Sequence, residues 1–271
     1  MPETLAREEI STTAPTAPRY YLYAVTRADT MFDPDLLPGV AASPAASPAP
    51  VEVLVEGGLG VLVSPVPAAR IRPERRNLAA HQGVLRALAG AGEPSLPVSF
   101  GVMAPARTEL RALVRANHDA LLAELERIGG MVEMGLFLRW DVPNVFEFLL
   151  DANRELALCR DELLAKPGGP SHHERIEMGR MFEAVLQGAR EGHRAVLSRA
   201  LAGAVQEIAS DPPRDERTIL SLACLVDRDG EAAFEKAVLA AAELFDDNYS
   251  FDYSGPWPPF HFVRVSLGEP G

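Results

Sequence analysis

The chain has 271 residues, of which 47% are hydrophobic and 24% charged, with a formal net charge of −12. This composition supports a globular core in one large or two medium domains, and the acidity argues against nucleic acid or an anionic membrane surface as a partner. No apolar run reaches the roughly 20 residues that a membrane span needs.

Residues 1–18 are polar and rich in Pro and Thr, and read as a disordered tail without the basic start and apolar stretch of a secretory signal. Two isolated cysteines, Cys159 and Cys224, suit burial in a reducing compartment. The cytoplasm is therefore the expected location. Arg19–Thr26, rich in tyrosine and β-branched residues, predicts a strand. Residues 41–50 form a low-complexity Pro-rich loop. The stretches 51–56 and 59–64 flank Gly57-Gly58, a hairpin signal, because primed turns need positive φ at both central positions. A helix is expected over 73–90 and a short strand over 95–102, interrupted by Pro97. Pro105 opens a helix whose apolar face carries Leu110, Leu113, Val114, Leu121, Leu125 and Ile128, and Met131–Trp140 predicts a further strand.

Residues 19–140 thus read β-β-β-α-β-α-β, an N-terminal α+β domain with a modified ferredoxin-like sheet. Residues 141–271 read as a second α+β domain. It opens with a helix over 144–165, with Asn144 and Glu147 as a capping pair. Ser171 and Glu174 form a capping box that starts a long helical stretch to about Ser210, with possible breaks at Gly188 or Gly192. Thr218–Asp227 predicts a strand, and a helix from Asp229 runs to Phe245. Tyr249–Tyr253 alternates as a half-buried strand does, Gly255–Pro259 makes a rigid connector, and Phe260–Leu267 completes an aromatic hairpin.

Candidate chemistry is sparse. His172, His173, Glu174 and Glu177 place two potential metal ligands on one helix face, but no third or fourth ligand is signalled, which leaves a solvated helix start as the other reading. His193 lies on the apolar stripe of the long helix, as a general base or as a satisfied interior histidine. Nothing cationic is signalled beside Cys224 to activate it, and Asp246-Asp247 sits at a helix end. The aromatic segment is denser. Tyr249, Phe251, Tyr253, Trp257, Phe260 and Phe262 make either a core hairpin or a rigid contact surface of the kind found at binding hot spots. Tyr253, Trp257, Pro258, Pro259 and Phe260 are the candidate protein-contact residues.

Gly255-Pro-Trp-Pro-Pro-Phe260, with Tyr249–Tyr253 before it and Phe262-Val263 after it, resembles the C-terminal signature of the gas vesicle protein L/F family. Three further stretches agree in order: Tyr20–Val25, Leu96-Pro-Val-Ser-Phe-Gly101, and Glu174–Arg180 with its embedded glycine. Ser99 departs from the pattern, where a basic residue is expected. The resemblance implies a non-catalytic gas vesicle accessory protein without cofactors, made of two α+β domains. It also implies contacts with the major gas vesicle shell protein and with other accessory proteins. The alternatives kept beside it are a metal-assisted enzyme and a ligand-binding module on ferredoxin-like domains.

Overall fold

The computed structural model describes residues 18–31, 33 and 37–265; of the expected 1–18 tail, residues 1–17 lie outside them. The described residues up to Glu126, with Val265, form one compact unit, and Arg127–Arg264 form the other.

The first unit is built on the strands β1 (Arg19–Arg27), β2 (Glu52–Glu56), β3 (Leu59–Val66), β4 (Ser95–Pro97) and β5 (Met103–Ala104). Their order is β2-β3-β1-β4, all antiparallel, with β5 paired to the start of β1. The hairpin joining β2 and β3 turns on Gly57 and Gly58, whose φ values of 59° and 84° are those of the primed turn expected there. Helix α1 (Arg75–Ala91) buries His81, Val84, Leu85 and Leu88. The helix predicted from Pro105 to Ile128 is two helices, α2 (Arg107–Ala116) and α3 (His118–Ile128). Asn117 separates them because its side chain donates to the Leu113 carbonyl at 2.9 Å, taking up an acceptor at the end of α2.

The Pro-rich 41–50 loop is tied down rather than free. Asn77 on α1 is buried and brackets Ala41, accepting from its N–H at 2.9 Å and donating to its carbonyl at 3.2 Å. Gly39 and Ala49 add a backbone bond of 3.0 Å across the base of the loop.

The second unit carries β6 (Met131–Trp140), helices α4 (Val145–Ala152), α5 (Arg154–Leu164) and α6 (His172–Leu201), strands β7 (Glu207–Asp211) and β8 (Thr218–Asp227), helix α7 (Glu231–Ala242) and strand β9 (Tyr249–Trp257). The sheet order is β7-β8-β6-β9, again antiparallel throughout. Its core packs Leu136, Leu138, Trp140, Leu220, Leu222 and Val226 of the sheet against Leu197 and Leu201 of α6 and Phe234 and Val238 of α7.

Numbered within each unit, the four main strands of both sheets lie in the order 2-3-1-4. The second unit also has helices in both crossovers, making a full β-α-β-β-α-β arrangement, whereas residues 28–51 of the first connect β1 to β2 without a helix among the described residues. The ferredoxin-like sheet, expected from the sequence for the first half alone and without a strand order, therefore occurs twice.

Four further expectations need correction. β6, assigned from sequence to the first domain with a boundary near 141, pairs with β8 and β9, which places it at the centre of the second sheet. The 144–165 helix breaks at Asn153, whose side chain accepts from Leu156 N–H at 3.0 Å and caps α5. Helix α6 passes unbroken through Gly188 and Gly192, about 45 Å for its 30 residues, but stops at Leu201 rather than Ser210. Residues 207–211 pair with β8 instead, so ladder bonds override the helical spacing of Val205 and Ile208. Finally, Phe260–Phe262 is a short 3-10 turn, not the second arm of a hairpin, and residues 266–267 of that expected strand lie outside the described residues. Pro258 and Pro259 explain the change, since neither can donate to a ladder.

Candidate functional site: the C-terminal aromatic segment

Strand β9 is an edge of the second sheet, bonded to β6 on one side. It starts from a turn in which Asp246 accepts from Asn248 N–H through its side chain at 2.9 Å and from Tyr249 N–H through its carbonyl at 3.2 Å. The Asp246-Asp247 pair is thus a turn element. Along β9, Tyr249 and Phe251 face the core, packed with Phe245 at ring distances of 5.1 Å each. The strand extends past Tyr253 through the Gly-Pro-Trp motif, with an irregularity opposite Glu133 and Gly135 and a cis Gly255–Pro256 peptide. Gly255 has φ 136°, and a Cβ there would lie 3.0 Å from the Glu133 carbonyl oxygen, so the motif's glycine is required by space and conformation together.

The five candidate contact residues separate. Tyr253 is 43% exposed, its hydroxyl donating to Glu235 Oε1 at 2.8 Å and its ring edge-on to Phe234. This hydrogen bond raises the Tyr253 pKa. Trp257 is half-buried, with its indole N–H donating to Ser254 Oγ at 3.2 Å. Phe260 is half-buried too, while Pro258 and Pro259 are buried. The two prolines therefore direct the chain, and of the five candidates Tyr253, with parts of Trp257 and Phe260, faces solvent.

After the prolines the chain folds back over the sheet. Phe262 packs on Ala223 and Leu225, and its carbonyl accepts from the Arg127 guanidinium. His261 donates its backbone N–H to Glu133 Oε2 at 2.9 Å and sets its ring between two carboxylates, 2.7 Å from Glu133 and 3.4 Å from Asp211. Burial depresses the His261 pKa, but the bond to Glu133 and the charges of Glu133 and Asp211 outweigh it, and the net shift is upward. Arg127 and Arg264 share Glu207, each at 2.7 Å. The sequence carried no signal for this strap, because its acidic partners lie on β6 and β7, 50 to 128 residues away.

The remaining candidates take structural places. His172 and His173 are exposed at the start of α6. Glu174 completes the predicted capping box with Ser171 and also pairs with Lys166, which pulls its pKa down to about 2. Among the described residues, no group of three or more His, Cys, Asp or Glu is placed to hold a metal ion. His193 packs on Phe245 and Tyr249 at ring distances of 5.3 and 5.1 Å, and burial lowers its pKa. Burial pushes the Cys224 thiol up to about 12, with the Glu133 charge adding to it, so thiolate chemistry there is disfavoured. Cys159 is half-buried.

A buried polar cluster that sequence reasoning missed sits in the first unit. The Tyr21 hydroxyl lies 2.9 Å from His81 Nδ1 and accepts from Gly101 N–H at 3.3 Å. Tyr23 stacks on the His81 ring, bonds Ser64 at 2.8 Å and accepts from Val40 N–H at 2.9 Å. Phe100 closes the ring cluster against Tyr21 and His81. Two separate motifs, Tyr20–Val25 and Leu96–Gly101, thus meet around one histidine. Nearby, a groove of about 610 Å³ opens between β1, β5 and α2, lined largely by apolar residues including Leu22, Val102, Met103, Leu110 and Leu113.

No helix among the described residues is long and apolar enough to cross a membrane. A family model described as gas vesicle synthesis protein GvpL/GvpF matches residues 19–264. Gas vesicle protein F of Streptomyces sp. (strain CB03234) is 31% identical over 90% of this chain and 99% of its own length. Gas vesicle protein F of Dolichospermum flosaquae is 26% identical, over 70% of this chain and 78% of its own. The crystal structure of gas vesicle protein GvpF from Anabaena sp. PCC7120 matches the fold with a TM-score of 0.74 at 23% identity, covering 92% of this chain and all of that one. The C-terminal aromatic segment and the two motifs around His81 all lie within the matched span, and the chain belongs to the gas vesicle protein L/F family.

Proposed function

We propose that this member of a gas vesicle accessory family acts without catalysis, assisting assembly or nucleation by binding the hydrophobic shell subunit and other accessory proteins in the cytoplasm. The observation that carries this reading is the family match over 19–264. The placement of the reactive side chains supports it. His193 is engaged in packing and Asp246 in a turn, and the burial of Cys224 disfavours nucleophilic work there.

The proposed contact surface is the exposed side of β9 around Tyr253, with the open parts of Trp257 and Phe260. A tyrosine held by Phe234 and Glu235 offers a rigid aromatic face at little entropy cost, which suits an apolar subunit. The largely apolar groove beside α2 offers a second area of the same character.

The test is a pull-down of the purified protein against the major gas vesicle shell subunit, with Tyr253→Ala in parallel. Retention of the wild type and loss with a folded variant supports the reading. Retention of both moves the contact away from β9, and no retention of well-folded wild type removes direct shell binding.

A further inference from the structure

Sheet edges expose unpaired backbone groups, and folded proteins ordinarily blunt them. Three of the four edges here carry such a device. β4 has three residues and ends at Pro97, β7 has five and bears Glu207 and Asp211, and β9 combines an irregular register with Pro256 and Asp252.

β2 does not follow this rule. Its register with β3 places Glu56 opposite Leu59 across the two-residue turn, and Leu54 opposite Val61. In such a ladder Glu52, Leu54 and Glu56 turn their N–H and C=O groups toward β3, so Val53 and Val55 turn theirs outward. No backbone bond from another described residue meets them. The two residues are 38% and 50% exposed. The charges that could repel an incoming strand are neutralised from α2, where Arg107 lies 2.6 Å from Glu52, and Arg111 and Arg115 lie 3.5 and 3.1 Å from Glu56. These arginines, spaced four apart on one helix face, bring three guanidiniums to two carboxylates. The result is a local positive excess on a chain of net charge −12, and the three arginine side chains remain 46%, 45% and 62% exposed.

We propose that the free edge of β2 docks an extended apolar segment of a partner protein that carries carboxylates on alternate residues, adding it as a further strand of the first sheet. Alternation matches the two faces. Carboxylates fall on the arginine face of α2, and apolar side chains fall beside Val53 and Val55. A second copy fits poorly, because antiparallel pairing about Leu54 would set one arginine stripe against the other and bring no carboxylate beyond those already paired.

The test titrates the isotope-labelled full chain with a nine-residue peptide of alternating valine and glutamate, and separately with its valine–lysine counterpart. The readouts are the Val53 and Val55 amide resonances and the mass by light scattering. The glutamate peptide is expected to shift and protect both amides and to bind about tenfold more tightly than the lysine peptide. Val55→Pro removes an outward donor without breaking a ladder bond, and Val53→Glu adds a carboxylate that repels the glutamate peptide; either is expected to abolish the shift of the remaining outward amides while the hairpin resonances persist. Unmoved amides with the glutamate peptide, equal binding of both peptides, or a doubled mass with both amides protected in the protein alone would each overturn the proposal.

Discussion

The histidine buried among Tyr21, Tyr23 and Phe100 makes a quantitative prediction about acid stability. His81 is 2% exposed, and burial lowers its pKa from 6.5 to about 4, with the Val98 backbone opposing the shift. Its folded-state pKa lies below its unfolded value, so on acidification the unfolded chain binds the proton first. The neutral ring therefore costs nothing above pH 6.5, and stability falls as pH drops from 6.5 toward 4. Between about pH 7 and pH 5 these two values imply a loss of about 2 kcal/mol from this group alone. The perturbation is His81→Phe, which keeps an aromatic ring against Tyr23 and Phe100 but cannot titrate. The variant loses the Tyr21 bond and is expected to be less stable at neutral pH by about 1–2 kcal/mol. Its decline on acidification should be shallower than the wild type's by about 2 kcal/mol. Urea unfolding of both proteins at the two pH values measures this difference. Equal acid losses, or a His81 ring signal titrating near its ordinary value in the folded protein, would refute the reasoning.

The His261 strap has the opposite sign. Its folded pKa is raised above 6.5, so its contribution is complete below that value and is lost as pH rises through the folded pKa. With the ring partly exposed, this amounts to less than about 1 kcal/mol, read as a smaller alkaline stability loss in His261→Gln. Asn77→Ala leaves both backbone groups of Ala41 without their side-chain partner, and is expected to cost about 3 kcal/mol in denaturant unfolding. Ser171→Ala removes the α6 capping box and should cost about 1 kcal/mol.

What was legible in the sequence was local chemistry. The Gly57-Gly58 hairpin, the Asn144 cap and the Ser171–Glu174 box are each decided by residues within a few positions, and each forms as expected. What was not legible depended on distant partners. Met131–Trp140 was recognisable as a strand, but its place between β8 and β9 depends on residues about 80 or more positions onward. Residues 207–211 carry a helical spacing that β8 overrules, and Phe260–Phe262 carries a strand composition that the two preceding prolines defeat. The same limit applies to function. The aromatic density near Tyr253 was visible, but the burial of Pro258 and Pro259 was not, since it follows from the chain folding back onto Glu133 and Asp211. The His81 cluster was hidden for the same reason, its members being spread from Tyr21 to Gly101.

The most direct measurement of the proposed role is complementation. A gas vesicle gene cluster lacking this protein is expressed with the wild-type chain, with Tyr253→Ala, or with neither, and the vesicles are counted by pressure-sensitive light scattering. Wild type is expected to restore vesicles that the deletion lacks, and Tyr253→Ala, present at equal level and folded, is expected to restore few. Vesicles formed in normal number without the protein would contradict an accessory role in their formation.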